Sequence, residues 1–314
     1  MIDRRTVVGA GLAIACQPWR ALAGPATVAN PKETDSMTKS HWPVSLAQWS
    51  LHRTLRADKL TTEQFPAFTR EQFGITGVEY VNSFFKDRST DDAWLSSQRT
   101  RCEDAGVQSV LIMIDGEGAL GDPSEKDRAA AVDNHRRWLH AAKSLGCHGI
   151  RVNVPSEGTP EEQRDRCVAG LSALMPHAEE LDLSVMIENH GGLSSNGQWL
   201  ASLITAVGHP RLGSLPDFGN FVLNWDTKEM YDRYRGVDEL LPHAKALSAK
   251  SHDFDESGNE IHTDYSRIFE LVRKHGYTGW IGVEYEGETL SEVDGITRTR
   301  DLLIKHGCHI SEGI

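Results

Sequence analysis

Gly149-Ile150-Arg151-Val152-Asn153-Val154, a helical pattern over residues 160–181, and Leu183-Ser184-Val185-Met186-Ile187-Glu188 make one repeat of this chain. The two short runs are apolar and β-branched, which suits strands. The segment between them opens at Pro160, as helices often do, and should break or kink near Pro176. Strand, helix and strand in this order form a parallel βαβ unit.

The same alternation runs outward in both directions. Strands are expected at residues 44–49, 77–81, 107–114, 149–154, 183–188, 212–216, 245–250 and 280–283. Helices are expected at 59–73, 91–105, 123–145, 160–181, 198–207, 228–241, 264–275 and 290–306. Glycines such as Gly74, Gly106 and Gly146 stop helices. Eight right-handed units predict an α/β fold, a (β/α)8 TIM barrel in a single domain over residues 44–314. An open doubly wound sheet should carry a Gly-rich phosphate turn after its first strand, and Gln48-Trp49-Ser50-Leu51 carries none.

The first 23 residues read as an export signal. Arg4 and Arg5 precede an uncharged run, and Ala21-Leu22-Ala23 offers a cleavage site. Asp3-Arg4-Arg5-Thr6-Val7-Val8 resembles a twin-arginine signal, which predicts a periplasmic or secreted protein exported already folded. The apolar run is short of the ~20 residues that cross a bilayer, so stable membrane insertion is not expected. Residues 24–43 read as a polar tether. The five cysteines form no CxxC, and Cys102, Cys147, Cys167 and Cys308 are expected as buried thiols. A net charge of -12 disfavours nucleic acid, which needs clustered Lys and Arg. A homo-oligomer is compatible with this composition.

In a TIM barrel the chemistry gathers where strands end. Here the ends carry Glu79, Arg151 with Asn153, Glu188-Asn189-His190, Asp217 with Asn220, Lys250-Ser251-His252 and Glu284. Carboxylates aimed into one cavity repel each other unless a cation or shared protons offset the charge. A hard divalent ion, Mn, Mg or Co, held by Glu188, Asp217 and Glu284 is the simplest solution. Glu79, Arg151, Asn153, His190 and Asn220 are candidates for binding substrate hydroxyls or orienting ligands. Trp49, Phe84 and Trp225 near the barrel-top loops are candidates for stacking on a sugar face. His135, His140 and His177 fall in helical patterns and read as solvated.

The runs Ser248-Ala249-Lys250-Ser251-His252-Asp253-Phe254-Asp255 and Gly276-Tyr277-Thr278-Gly279-Trp280-Ile281-Gly282-Val283-Glu284-Tyr285-Glu286 resemble the xylose-isomerase-like TIM-barrel superfamily. The resemblance is to its sugar phosphate isomerase/epimerase members, with ketose 3-epimerases and inosose dehydratase as relatives. It implies one metal held by Glu188, Asp217, a histidine after the seventh strand and Glu284. The family reads His-x-Lys-Asp at that third position, whereas this chain reads Lys250-Ser251-His252-Asp253. Lys250 and His252 share strand parity. Either His252, the preferred ligand, supplies the nitrogen, or the metal has fewer protein ligands and Lys250 touches substrate. A lysine beside a divalent ion should have its pKa lowered.

The resemblance also implies proton abstraction beside a carbonyl, with Glu188 and Glu284 as base and acid and Lys250 assisting. An isomerase or epimerase of a free sugar or keto-sugar is the first expectation. A lyase or dehydratase on a keto-sugar or keto-glycoside is the alternative, and an exported sugar-binding barrel the non-catalytic one. The superfamily's endonuclease IV branch needs further His ligands and suits neither the leader nor the negative charge.

Overall fold

A computed structural model describes residues 42–310. The leader and the tether as far as residue 41 lie outside the described residues. Eight parallel strands form the barrel: β1 (Trp42–Ala47), β2 (Gly77–Val81), β3 (Gln108–Met113), β4 (Gly149–Val152), β5 (Ser184–Glu188), β6 (Leu212–Leu215), β7 (Leu247–Ser251) and β8 (Ile281–Tyr285). From β1 to β6 each pairs with its sequence neighbour, β7 pairs with β8, and β8 returns to β1 with Val44 opposite Ile281. Between β6 and β7 the wall narrows to single bridges, Ser214 to Ala244 and Asp217 to Ser248. The expected TIM barrel is the observed one.

Outside the wall lie α1 (Phe65–Phe73), α2 (Asp92–Asp104), α3 (Glu125–Leu145), α4 (Pro160–Glu180), α5 (Gly197–Val207), α6 (Arg233–Leu240), α7 (Tyr265–Lys274) and α8 (Glu292–Lys305). Their buried faces and the outward side chains of the strands make the main apolar shell. A second cluster fills the barrel itself, including Ala47, Val81, Leu111, Met113, Met186, Leu215 and Ala246. Burying a side chain such as Met186 or Leu215 stabilises by about 1.5–3 kcal/mol. No helix among the described residues is long and apolar enough to cross a membrane.

Several local expectations are corrected. β1 starts at Trp42, inside the expected tether. Trp42 is buried, packs 5.4 Å from the Phe269 ring and donates its indole N–H to the Tyr277 carbonyl. Helix α4 runs unbroken through Pro176. Pro176 and Ser172, whose carbonyl loses its partner, are both exposed, so water can take the lost bond. The helix expected from residue 228 begins only at Arg233, because Val222–Asn224 and Glu229–Met230 form a hairpin whose turn places Lys228 at φ 59. His135 is buried, with Nδ1 on the Ala131 carbonyl, and burial pushes its pKa down. Cys102, Cys147, Cys167 and Cys308 are buried free thiols, as expected.

Candidate metal centre and active site

Strand alternation decides which groups enter the barrel mouth. Glu188 closes β5 on the face shared with Met186, Asp217 follows β6, and Glu284 lies in β8 two residues beyond Gly282. One carboxylate oxygen from each of Glu188, Asp217 and Glu284 lies within 4.8 Å of the other two. All three residues are buried.

Each carboxylate is held from behind. Asn189 takes the Asp217 N–H at 2.8 Å and donates to the carbonyls of Asp217 and Asn220 at 2.9 and 3.0 Å. Asp217 Oδ1 accepts the N–H groups of Gly219 and Asn220, at 2.8 and 2.7 Å, leaving Oδ2 to face the centre with Ser248 Oγ at 2.8 Å. The single hydroxyl proton of Ser248 is shared between Asp217 Oδ2 and Glu284 Oε2. Glu188 Oε1 accepts Asn220 Nδ2 at 3.1 Å. Its Oε2 lies 2.8 Å from Arg151 Nε, an ion pair too poorly aligned for a hydrogen bond, so that oxygen has no hydrogen-bond partner among the described residues.

The fourth corner belongs to Lys250. Its Nζ lies 3.7 Å from Asp217 Oδ2, 3.7 Å from Glu284 Oε1, 3.2 Å from Glu286 Oε2 and 3.3 Å from Asn220 Oδ1. His252 is not brought to the three carboxylates. Strand β7 ends at Ser251, one residue before it. The His252 ring is 39% exposed, its Nε2 stands 3.9 Å from Glu286 Oε2, and it meets His262 edge-on at 5.9 Å.

Burial raises the pKa of Glu188 and Asp217, against the pull of Arg151 on the first and Lys250 on the second. Burial alone would lower the Lys250 ammonium, but Asp217, Glu284 and Glu286 hold it well above its ordinary value. Glu286, not foreseen as a site residue, is pushed up by burial and pulled further down by Lys250 and Trp49. Trp49 donates to Glu286 and stacks 4.9 Å from the His52 ring. The strand period could have found Glu286, since it follows Glu284 by two.

The remaining candidates divide. Arg151 is buried between Glu188 and Asp115, 2.7 Å from Asp115 Oδ1, and Asn153 donates to the same oxygen at 2.9 Å. Asp115 was also unforeseen. Burial pushes it up, and Arg151 holds it below the usual carboxylate range. His190 stands exposed at the rim, its pKa lowered by partial burial and by the charges of Arg151 and Lys250. Glu79 is placed away from the mouth. Its carboxyl is sealed against Gly282, where a Cβ would come within 2.5 Å of Oε1, and Ser45 Oγ donates to it. Burial, then the charges of Glu284 and Glu188, push it up to about 8.

The donor set fits a divalent ion. Two oxygens bound to one such ion at ~2.0–2.4 Å are less than about 5 Å apart, and the 4.8 Å limit on this triad meets that. Around it, five carboxylates (Asp115, Glu188, Asp217, Glu284 and Glu286) face two cations, Arg151 and Lys250. That excess of negative charge leaves room for a further cation.

The chain belongs to the xylose isomerase-like TIM barrel family, whose model matches residues 70–306. Among curated proteins it is 20% identical over 283 residues to the 3'-dehydrocarminate deglycosidase alpha subunit of a Microbacterium species, covering 68% of this chain and 78% of that one. It is 24% identical over 243 residues to the inosose dehydratase of Lacticaseibacillus casei, with the same shares. Among solved structures, a xylose isomerase-like TIM barrel protein from Mycobacterium smegmatis in complex with magnesium superposes with a TM-score of 0.64 at 16% identity, over 86% of this chain and 97% of that one.

Proposed function

We propose that this protein is a metal-dependent enzyme that abstracts a proton beside the carbonyl of an unphosphorylated keto-sugar. The observation that carries the reading is the convergence of Glu188, Asp217 and Glu284, from three barrel strands, on one buried point beside the Lys250 ammonium. A divalent ion there would be held by these three carboxylates and would supply Lewis-acid polarisation of a substrate oxygen.

The chain's own residues supply the rest. Glu188 or Glu284 takes the proton from the carbon next to the carbonyl, and the electron pair moves toward the carbonyl oxygen. The other glutamate returns a proton, to the opposite face in an epimerase or to the former carbonyl carbon in an isomerase. Asn220 and Arg151 fix the Glu188 carboxylate, and Ser248 fixes that of Glu284. Lys250 places a fixed positive charge where negative charge develops.

A phosphorylated sugar is disfavoured. Both buried cations already face carboxylates, and the surrounding field is negative. This agrees with export through the twin-arginine-like leader, which we propose on its sequence alone.

A second reading shares the first step. After proton abstraction the electron pair can expel a hydroxyl or alkoxyl group from the next carbon, which takes a proton from the other glutamate and leaves as water or an alcohol. The names of the two curated relatives, a dehydratase and a deglycosidase, support this lyase branch.

Hydrogen–deuterium exchange followed by NMR tests the proposal, using free keto-sugars and 3-keto-glycosides with and without Mn or Mg. Metal-dependent exchange at a carbon beside the carbonyl supports it, and a released alcohol selects the lyase branch. No exchange with any of these compounds in the metal-loaded protein would overturn it.

A further inference from the structure

Beside the centre, a cavity of about 320 Å³ opens between the segments that follow β4 and β5. It is reached through residues of the site itself. Asn153 bonds the Asp115 carboxylate that pairs with Arg151, and His190 follows Glu188 by two positions. Both residues line the cavity, together with Ser156, Gln163 and Gly191. The geometry points to this cavity as a subsite for a second, uncharged sugar ring, so that the substrate is a two-ring keto-glycoside rather than a single keto-sugar.

The chemistry of the walls selects that ligand. None of the cavity's residues is Lys, Arg, Asp or Glu, so neither a phosphate nor an ammonium group finds a counter-charge. Amides, hydroxyls and an imidazole make up half of the lining, and these suit sugar hydroxyls. Asn153 lines the cavity, and its Oδ1 is buried with no hydrogen-bond partner among the described residues. At the edge stands Trp225, 62% exposed, the most exposed large apolar side chain of the described residues. Its indole lies over Gly191, where a Cβ would come within 3.2 Å of Nε1. Gly191 has φ 94, which favours glycine, and so the backbone passes close under the ring. An exposed indole next to a wall that is half polar suits the C–H face and hydroxyl edge of a pyranose. The volume is at the small end of ligand pockets, roughly 300–1,000 Å³, and fits one ring beyond the one being transformed.

Only the choice of a keto-sugar as the first ring rests on the proposed function, and binding separates the two. The full chain, stripped of metal with chelator, is titrated by NMR with 3-ketoglucose and with 3-ketotrehalose. The two-ring compound should bind at least tenfold more tightly. Gln163→Trp, which fills the cavity, and Trp225→Ala, which removes an exposed ring, should each cut that advantage at least fivefold while circular dichroism stays unchanged. Equal affinities, no binding of the disaccharide, or an advantage that survives in both variants would overturn the subsite. If 3-ketotrehalose binds selectively and neither compound exchanges a proton once Mn is added, the subsite stands and the proposed chemistry falls.

Discussion

The Lys250 ammonium stands 3.7 Å from Glu284 Oε1, inside the group of carboxylates that is suited to a divalent ion. Two unit charges about 4 Å apart interact by roughly 4 kcal/mol at an effective dielectric near 20. The lysine therefore both stabilises the carboxylates and competes with any cation they hold. Lys250→Met should tighten Mn binding tenfold or more by calorimetry. It should also destabilise the metal-free protein by about 3–5 kcal/mol, since buried carboxylates lose their counter-charge. An unchanged Mn affinity would show that Lys250 does not share the carboxylates with the metal.

His252 gives the opposite expectation. Its ring faces Glu286 and His262 rather than the three carboxylates. His252→Ala should change metal affinity less than about threefold, whereas loss of a true ligand should cost more than the ~10–100-fold seen when a ligand's supporting partner is removed. Calorimetry with Mn decides between them.

Glu188→Gln and Glu284→Gln each remove a proton-transfer group while keeping side-chain shape. Each should lower kcat by about 10²–10⁴. The double variant should also lose bound metal, measured on the purified protein by plasma emission. Retention of full kcat in either single variant removes that glutamate from the chemistry.

Glu79 sets a pH dependence of stability. Its folded pKa is raised to about 8 from the ordinary 4.5, mainly by burial. The folded state thus holds a proton that the unfolded state releases. The resulting stabilisation is full below about pH 4.5 and is lost as pH rises through about 8, on the order of 3–5 kcal/mol in all. Glu79→Gln mimics the protonated form, so urea unfolding between pH 5 and 9 should show a flatter profile for it. Equal slopes in the two proteins would refute the buried neutral acid.

Gly282 and Glu79 are coupled by packing. A Cβ at 282 would come within 2.5 Å of one Glu79 oxygen and 2.7 Å of the other. Gly282→Ala should cost about 1–3 kcal/mol by overpacking, measured by denaturation. Combined with Glu79→Ala, the cost should be less than the sum of the two.

The barrel and the three carboxylates were legible in the amino-acid sequence because both depend on local period. Apolar runs and Gly or Pro punctuation mark eight units, and a residue at a strand's carboxyl end is at the barrel mouth whatever its partners. Glu188, Asp217 and Glu284 were found in this way. Parity alone could equally have given Glu286 and Asp115, which continue the inward faces of β8 and β3. The hairpin before α6 was hidden because its turn depends on a left-handed Lys228, a residue with no such preference of its own.

Only the tertiary structure decided what the seventh strand contributes. Lys250 and His252 share a parity in the sequence, but past a strand's end parity no longer decides: Glu286 beyond β8 still reaches Lys250, whereas His252 beyond β7 does not reach the three carboxylates. Glu79 shows the same limit along the barrel axis. The sequence determined that it points inward, but its depth follows from the register that sets it against Ser45 and Gly282. Period gives direction, whereas depth and partnership come from long-range strand pairing, which no local pattern encodes.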